Sequence, residues 1–327
     1  MSLRLVVLCL LLSLSLSARA GDNDWLSLIW HNDLLIGKDG GGYTNGLFLS
    51  WYTFADEARE DFTPPWLTRP LARWLINSED TTKLELGVHT LGQMMVTPED
   101  VSKLEREPGD APYAGLLYWR SGYFSYTDER VDSVAVTVGV VGPLAGAERA
   151  QKWVHEITGS TEPRGWDNQI SNEPIGQIER ARMWRFASGS GVRQADLLTQ
   201  ISGSLGNVES AARLTMVVRY GTDLRRSVIA ASQLSGRVSN PMAIDRGWNV
   251  YLGVGADYVH NQIFISGSRL RSGPRTELKH EQYWLFAGGA YAWENFSATV
   301  GFSASSSLDK YSSARQGFGS VILAWRL

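Results

Sequence analysis

The sequence predicts an all-β chain, a twelve-stranded antiparallel transmembrane β-barrel of the bacterial outer membrane, with a short helix in an extracellular loop. Three observations carry this expectation. Apolar and polar residues alternate with a period of two from one end of the chain to the other. Beyond residue 20 no apolar run is long enough to cross a bilayer as a helix. The 327 residues hold 33 Gly, 13 Trp, 12 Tyr and 10 Phe at a mean hydropathy of -0.17, as expected where only alternate residues see lipid and aromatics gather at the interfaces.

The chain opens with features of a secretory leader. Arg4 gives the positive start, Leu5 to Leu16 the apolar core, and Ala18-Arg19-Ala20 the small-x-small cleavage site. The expected organisation is a leader over residues 1–20 and a single barrel domain over 21–327. The only cysteine, Cys9, lies inside the leader. The mature chain therefore has no disulfide, no thiolate nucleophile and no cysteine metal site. A net charge of -3 gives no reason to expect nucleic acid, and no protein partner is evident.

Strands are expected near 24–33, 43–54, 83–97, 112–126, 131–142, 174–187, 196–206, 210–222, 247–263, 278–292, 296–306 and 316–327. In these, Leu84, Leu86 and Val88 alternate with Lys83, Glu85, Gly87 and His89. Val134 to Val140, Leu214 to Tyr220, Trp248 to Tyr258 and Phe296 to Ala304 alternate likewise, with Arg213, Arg219 and Asp257 on the non-oily face. Each apolar set is assigned to lipid and each polar set to the interior. A soluble β-sandwich also alternates, but the strands are as long as tilted membrane strands. The chain also ends in Val321-x-Leu323-x-Trp325-x-Leu327, like the assembly signal of bacterial barrels, with Leu327 in place of the usual phenylalanine. Trp25, Trp30, Trp51, Trp119, Trp248 and Trp325 read as interface anchors.

Two insertions carry helical patterns. Residues 55–82 include Trp66-Leu67-x-x-Pro70-Leu71-x-x-Trp74-Leu75, an amphipathic stretch suited to the inner interface. Residues 143–173 include a helix from Ala147 to Thr158, broken at Gly159. A third long connection, 223–246, has no assigned structure. With a periplasmic N-terminus, Asn32 and Asp33 at the end of strand 1, Thr44 at the start of strand 2, and His155 in the loop after strand 5 all emerge on the outside. That loop must reach across the rim, since four strands separate it from strand 1. His89, His260 and His280 are expected to line the lumen. An amide, a carboxylate and a hydroxyl gathered at a rim suggest chemistry where lipid meets water.

Asn32-Asp33-Leu34-Leu35, Tyr43-Thr44-Asn45-Gly46-Leu47-Phe48-Leu49, Val141-Gly142-Pro143, Trp153-Val154-His155 and Gly165-Trp166-Asp167-Asn168-Gln169-Ile170 follow one another in an order and spacing that resembles the outer-membrane lipid A 3′-O-deacylases, the LpxR family. The resemblance covers most of the mature chain and is densest in residues 25–50 and 139–172. It implies a twelve-stranded barrel whose active site lies between the outer barrel wall and a loop helix. It also implies a Ca²⁺-dependent esterase that removes the 3′-O-linked acyloxyacyl group of lipid A in the outer leaflet. Carried over, Asn32 and Asp33 match the family's Asn-Asp pair, Thr44 its hydroxyl residue and His155 its catalytic histidine. The family's acidic residue six positions after the histidine falls on Thr161 here; Glu162, one place later, is the candidate substitute, with Asp33, for the metal.

The residue types suit such chemistry. Imidazole titrates near neutrality and can take a proton from water. A carboxylate is a hard donor for Ca²⁺, whose charge can serve as an oxyanion hole. Asn32 could orient the metal or the substrate carbonyl, and Thr44 the water or the imidazole; water is preferred as the nucleophile. Two other readings stand beside this one: an outer-membrane phospholipase or esterase with another acyl substrate, and a non-catalytic porin-like barrel. Large residues on the polar face, Tyr251 and Phe318, argue for a filled lumen against the porin.

Overall fold

The computed structural model describes residues 24–33, 42–56, 62–76, 84–107, 109–188, 191–224, 227–231, 238–243, 246–268, 270, 273–311 and 316–327. The expected leader lies outside the described residues. Twelve strands form one closed antiparallel barrel. They are β1 (Asp24–Asn32), β2 (Gly42–Asp56), β3 (Leu84–Thr97), β4 (Ala114–Tyr126), β5 (Arg130–Val141), β6 (Glu173–Ser188), β7 (Gln194–Gly206), β8 (Glu209–Gly221), β11 (Gly247–Gln262), β12 (Glu281–Trp293), β13 (Phe296–Ser305) and β14 (Gln316–Arg326). A separate hairpin, β9 (Ser227–Ala231) with β10 (Val238–Ala243), fills the connection left unassigned from sequence and lies against β12, β13 and β14. β1 closes the barrel on β14, from Trp25↔Arg326 to Asn32↔Gly319. The start of β1 and the end of β14 sit at one mouth, the periplasmic one in bacterial barrels.

Among the described residues there are three short α-helices: α1 (Arg69–Leu75), α2 (Ala147–Thr158) and α3 (Ile263–Ser266). α2 has the bounds read from sequence. It ends where Gly159 takes φ +70°, a left-handed conformation that glycine adopts without the clash of a Cβ. Strand 10 of the sequence reading begins later than expected, at Glu281 in β12, because Leu278 only bridges to Asp309.

The lumen is filled. Ile29, Phe48, Met94, Leu116 and Phe318 pack in one cluster, and Met183, Leu198, Tyr251, Trp284 and Phe286 in another. Between them stand buried ion pairs. Asp196 takes Arg219 through both carboxylate oxygens (2.8 and 2.5 Å) and Arg185 at 2.7 Å. Arg213 joins Glu209 at 2.7 Å and Asp257 at 3.0 Å. These charges face one another across the interior, away from lipid.

On the outer face Leu47, Leu91, Trp119, Val138, Ile178, Leu214, Val218, Leu252 and Phe302 are exposed. The assignment of faces is reversed in one place. Leu86 and Val88 of β3 point inward, packed with Trp25 and Tyr52, while Glu85, Gly87 and His89 face out. The reason is that residues 62–76 cover this part of the wall: Phe62 stacks on Tyr123, and Ala72 and Ile76 pack with Tyr123 and Val134. Trp25 is thus a core residue, not an interface anchor. The histidines expected in the lumen are elsewhere. His89 stacks on Trp51 at 5.3 Å outside the barrel, and His260 is exposed. His280 stacks at 5.8 Å on Tyr258, which is exposed on the outer face.

Candidate active site at the outer rim

At the mouth away from the chain ends, four residues of neighbouring strands share one row. Asn32 pairs with Asn45, Asn45 with Met95, and Met95 with Gly115. Counting by twos from the exposed Trp30, Leu47, Leu91 and Trp119 puts this row on the outer face of the wall. Asn32 and Asp33 are nevertheless 6% and 5% exposed, so they are sheltered polar groups. Polar groups withdrawn from water need compensating partners, which makes the pair a built feature.

Thr44 marks a break in this register. Tyr43 faces Val96 and Asn45 faces Met95, so Thr44 is the extra residue of a β-bulge. Bulges re-aim side chains and are common beside active sites. The bulge lies one residue from the Asn32–Asn45 pair.

α2 docks on the same outer wall. Gly142 N donates to the Gly115 carbonyl at 2.8 Å, and Gln93 Nε2 to the Ala145 carbonyl at 2.7 Å. The helix then starts directly over Gly115. Ala147 packs with Met95, Tyr113 and Trp166, and the helix passes along β4 and β3. The loop runs along the outside over β4 and β3, with its helix against the outer barrel wall, as the resemblance implies. Ala147, Gln151 and His155 fall at four-residue intervals, hence on one stripe, and the burial of the first two turns that stripe to the wall. His155 lies about 12 Å along the axis from Ala147, while β1 is two strands, roughly 10 Å, from β3.

The strap after α2 holds it in place. Trp166, fully buried, donates from Nε1 to Gln151 Oε1 at 2.7 Å and packs at a tilt against Tyr113, ring centroids 4.8 Å apart. Ile170 N donates to the Tyr113 carbonyl at 2.9 Å. Burial pushes the Tyr113 phenol up to about 12, so it stays a neutral donor to the Val101 carbonyl at 3.1 Å. The Gly165–Ile170 motif is thus a buttress for the helix.

Two features here escaped the sequence reading. Gln151 is 3% exposed with its Oε1 held by Trp166, while its Nε2 is buried and makes no hydrogen bond. An orphaned amide on the wall-facing stripe, one turn before His155, is a donor in want of an acceptor. Its four-residue spacing from His155 was the available signal. The other is Thr161, whose backbone carbonyl lies 2.5 Å from His155 Nδ1. A carbonyl only accepts, so this contact requires the proton on Nδ1, and in the neutral ring it leaves Nε2 with its lone pair free.

Of the two expected metal ligands, Asp33 is sheltered and Glu162 is open to solvent. Glu162 is 70% exposed and lies 3.8 Å from Arg164 Nε. Among the described residues no group of three or more His, Cys, Asp or Glu could hold a metal ion. At the end of β1 the rim offers a sheltered carboxylate, Asp33, beside the amide side chains of Asn32 and Asn45. These are the hard oxygen donors Ca²⁺ takes, but fewer than its usual 6–8, so water, backbone or substrate oxygens would complete the set.

The family model of the outer membrane protein LpxR matches residues 5–327. Among solved structures, LpxR from Salmonella typhimurium superposes with a TM-score of 0.75 at 17% identity, covering 93% of this chain and 100% of that one. The translocator domain of the autotransporter NalP from Neisseria meningitidis reaches a TM-score of only 0.39 at 9% identity, covering 99% of this chain and 95% of that one. The KdgM porin also reaches 0.39, at 6% identity, covering 93% and 99%. A sequence comparison with curated proteins gives no match.

Proposed function

Because the chain belongs to the LpxR family of outer-membrane proteins, we propose that it is a hydrolase of the outer leaflet that cleaves the 3′-O-linked acyloxyacyl ester of lipid A. One observation carries the reading: Asn32 and the docked α2 lie on the outside of the wall at the rim, with the sheltered Asp33 next to Asn32 in the chain and the backbone bulge at Thr44 beside it. A lipid substrate can reach such a site sideways from the membrane, whereas the lumen that a solute channel keeps open is here occupied by large apolar side chains and paired charges.

In this reading His155 is the general base. With Nδ1 donating to the Thr161 carbonyl, Nε2 takes a proton from water as its oxygen bonds to the ester carbonyl carbon. Collapse of the tetrahedral intermediate breaks the bond to the sugar oxygen. The proton passes from Nε2 to that oxygen, releasing a 3′-hydroxyl and a free acyloxyacyl acid. Gln151 Nε2, fixed through its Oε1 by Trp166, donates to a substrate oxygen. Thr44 holds the water or the imidazole. Asp33, with the amide oxygen of Asn32, would hold Ca²⁺, which would supply positive charge for the oxyanion.

Thr161 gives its backbone carbonyl to the histidine where the family pattern has an acidic side chain, and Glu162 is turned to Arg164. An esterase with another acyl substrate is the reading this departure favours in second place. Mass spectrometry of lipid A from cells expressing the chain separates the two. Loss of a 3′-linked acyloxyacyl unit is expected. Intact lipid A beside released phospholipid fatty acids would replace the first reading with the second, and intact lipids throughout would remove both.

A further inference from the structure

The sides of α2 differ sharply in chemistry. Ala147 and Gln151 are buried against the barrel wall. At 3.6 residues per turn, Glu148, Lys152, His155 and Glu156 stand on one flank of that stripe, and Trp153, Val154 and Ile157 on the other. Lys152 Nζ donates to Glu148 at 2.7 Å along the polar flank, as residues four apart on a helix can. On the apolar flank Trp153, Val154 and Ile157 are 46%, 39% and 47% exposed. Three large apolar side chains open on one flank of a short helix call for an apolar phase beside them.

The strap after α2 fixes which flank looks where. Arg164 N donates to the Val101 carbonyl, Asn168 Nδ2 to the Leu104 carbonyl and Ile170 N to the Tyr113 carbonyl, each at 2.9 Å. Residues 98–113 join the outer end of β3 to the start of β4, so the strap is held on the water side of the strand ends. It meets α2 on the polar flank, where the Thr161 carbonyl lies on His155 Nδ1. The hydrogen bond to Glu148 raises the Lys152 pKa above its ordinary value, and the strap carboxylates Asp167 and Glu162 add to this. The apolar flank therefore looks the other way, toward the bilayer. There the lipid-facing wall begins at once. Gln93, which bonds the Ala145 carbonyl just before the helix, is two residues from Leu91, and Leu91 pairs with Trp119; both are exposed on the outer face. Two residues of a tilted strand rise about 5 Å, and a helix with its side chains has a radius of about 5 Å. The apolar flank thus comes level with the top of the lipid-facing belt.

We propose that α2 is seated in the outer leaflet, with Trp153, Val154 and Ile157 against the acyl chains at the headgroup boundary and Glu148, Lys152 and Glu156 in water. The occupant follows from continuity: the flank joins a wall whose exposed Leu91 and Trp119 already face lipid. Charge agrees, since Glu148, Arg149, Lys152 and Glu156 all stand off this flank. An amphipathic helix gains by burying its apolar side about 5–10 Å into that boundary, and tryptophan has its preferred place there. The extracellular loop is then part of the membrane-bound surface. This seating does not rest on the esterase reading, because intact lipid A would remove the hydrolase and leave α2 in the leaflet.

Beyond Cys9 the chain has no cysteine, so one introduced cysteine reports one place. Nitroxide labels are attached to Trp153→Cys, Ile157→Cys, Arg149→Cys and Glu156→Cys, each in the full barrel folded into vesicles of lipopolysaccharide and phosphatidylethanolamine. All four positions are exposed, and heat-modifiable electrophoretic mobility checks that each variant folds. Electron paramagnetic resonance power saturation then compares collision with dissolved oxygen, which favours lipid, against collision with a water-soluble nickel chelate. Oxygen is expected to dominate for the labels replacing Trp153 and Ile157, and nickel for those replacing Arg149 and Glu156. The pair Trp153→Ser, Ile157→Ser is expected to move a label on Val154→Cys from the oxygen to the nickel regime. Equal access on the two flanks, of either kind, or the reverse order, overturns the seating, and so does a Val154→Cys label that the serine pair leaves unmoved.

Discussion

Gly115 on β4 and Ala147 at the first turn of α2 meet so closely that a Cβ on Gly115 would stand 2.5 Å from the Cβ of Ala147. This contact sets how close the helix comes to the outer wall, and through it the place of Gln151 and His155. Gly115→Ala is expected to lift the helix. Overpacking of this kind costs about 1–3 kcal/mol, which falls on the docking of α2 rather than on the hydrogen-bonded barrel. Deacylation in outer-membrane vesicles should drop by tenfold or more, with heat-modifiable mobility unchanged. Full activity in this variant would mean that α2 need not touch the wall.

His155→Ala and Asp33→Ala should each lower lipid A hydrolysis by about 10²-fold or more, with the barrel intact. Activity should also vanish on chelation and return with added Ca²⁺. In ¹⁵N spectra His155 should show a protonated Nδ1 and an unprotonated Nε2, as the Thr161 carbonyl dictates. The opposite tautomer would remove the histidine's role as base.

Gln151→Glu keeps size and the acceptor that Trp166 uses, but replaces the orphaned donor with an oxygen. Losing one oyxanion-type donor costs roughly 10²-fold in kcat. The expected result is a fall in kcat with little change in KM, while Trp166→Phe, which keeps the donor but frees the amide to rotate and loosens the strap, should raise KM and lose less in kcat. An equal fall in both variants would point to mere packing.

Asp196→Ala leaves Arg219 and Arg185 facing each other without their shared carboxylate. Breaking a buried pair in this way costs about 3–5 kcal/mol, readable as a lower urea midpoint for unfolding from vesicles. The intact barrel should pass no steady current in planar bilayers, because side chains fill its lumen. Stable channel conductance by the wild type would revive the porin reading.

The sequence by itself determined strand number, closure and the helix at Ala147–Thr158. A period of two, a period of 3.6 and a positive-φ glycine at the helix end are local properties, readable without knowing what packs where. It also placed Asn32, Asp33, Thr44 and His155 at one mouth, since strand parity alone decides that. Only the tertiary structure decided which face of each strand looks outward. Leu86 and Val88 turned inward because residues 62–76, distant along the chain, cover the opposite face. Only the fold, too, showed the unfilled donor of Gln151 and the carbonyl that orients His155. Those depend on contacts between segments far apart in sequence, where alternation is silent and packing alone decides.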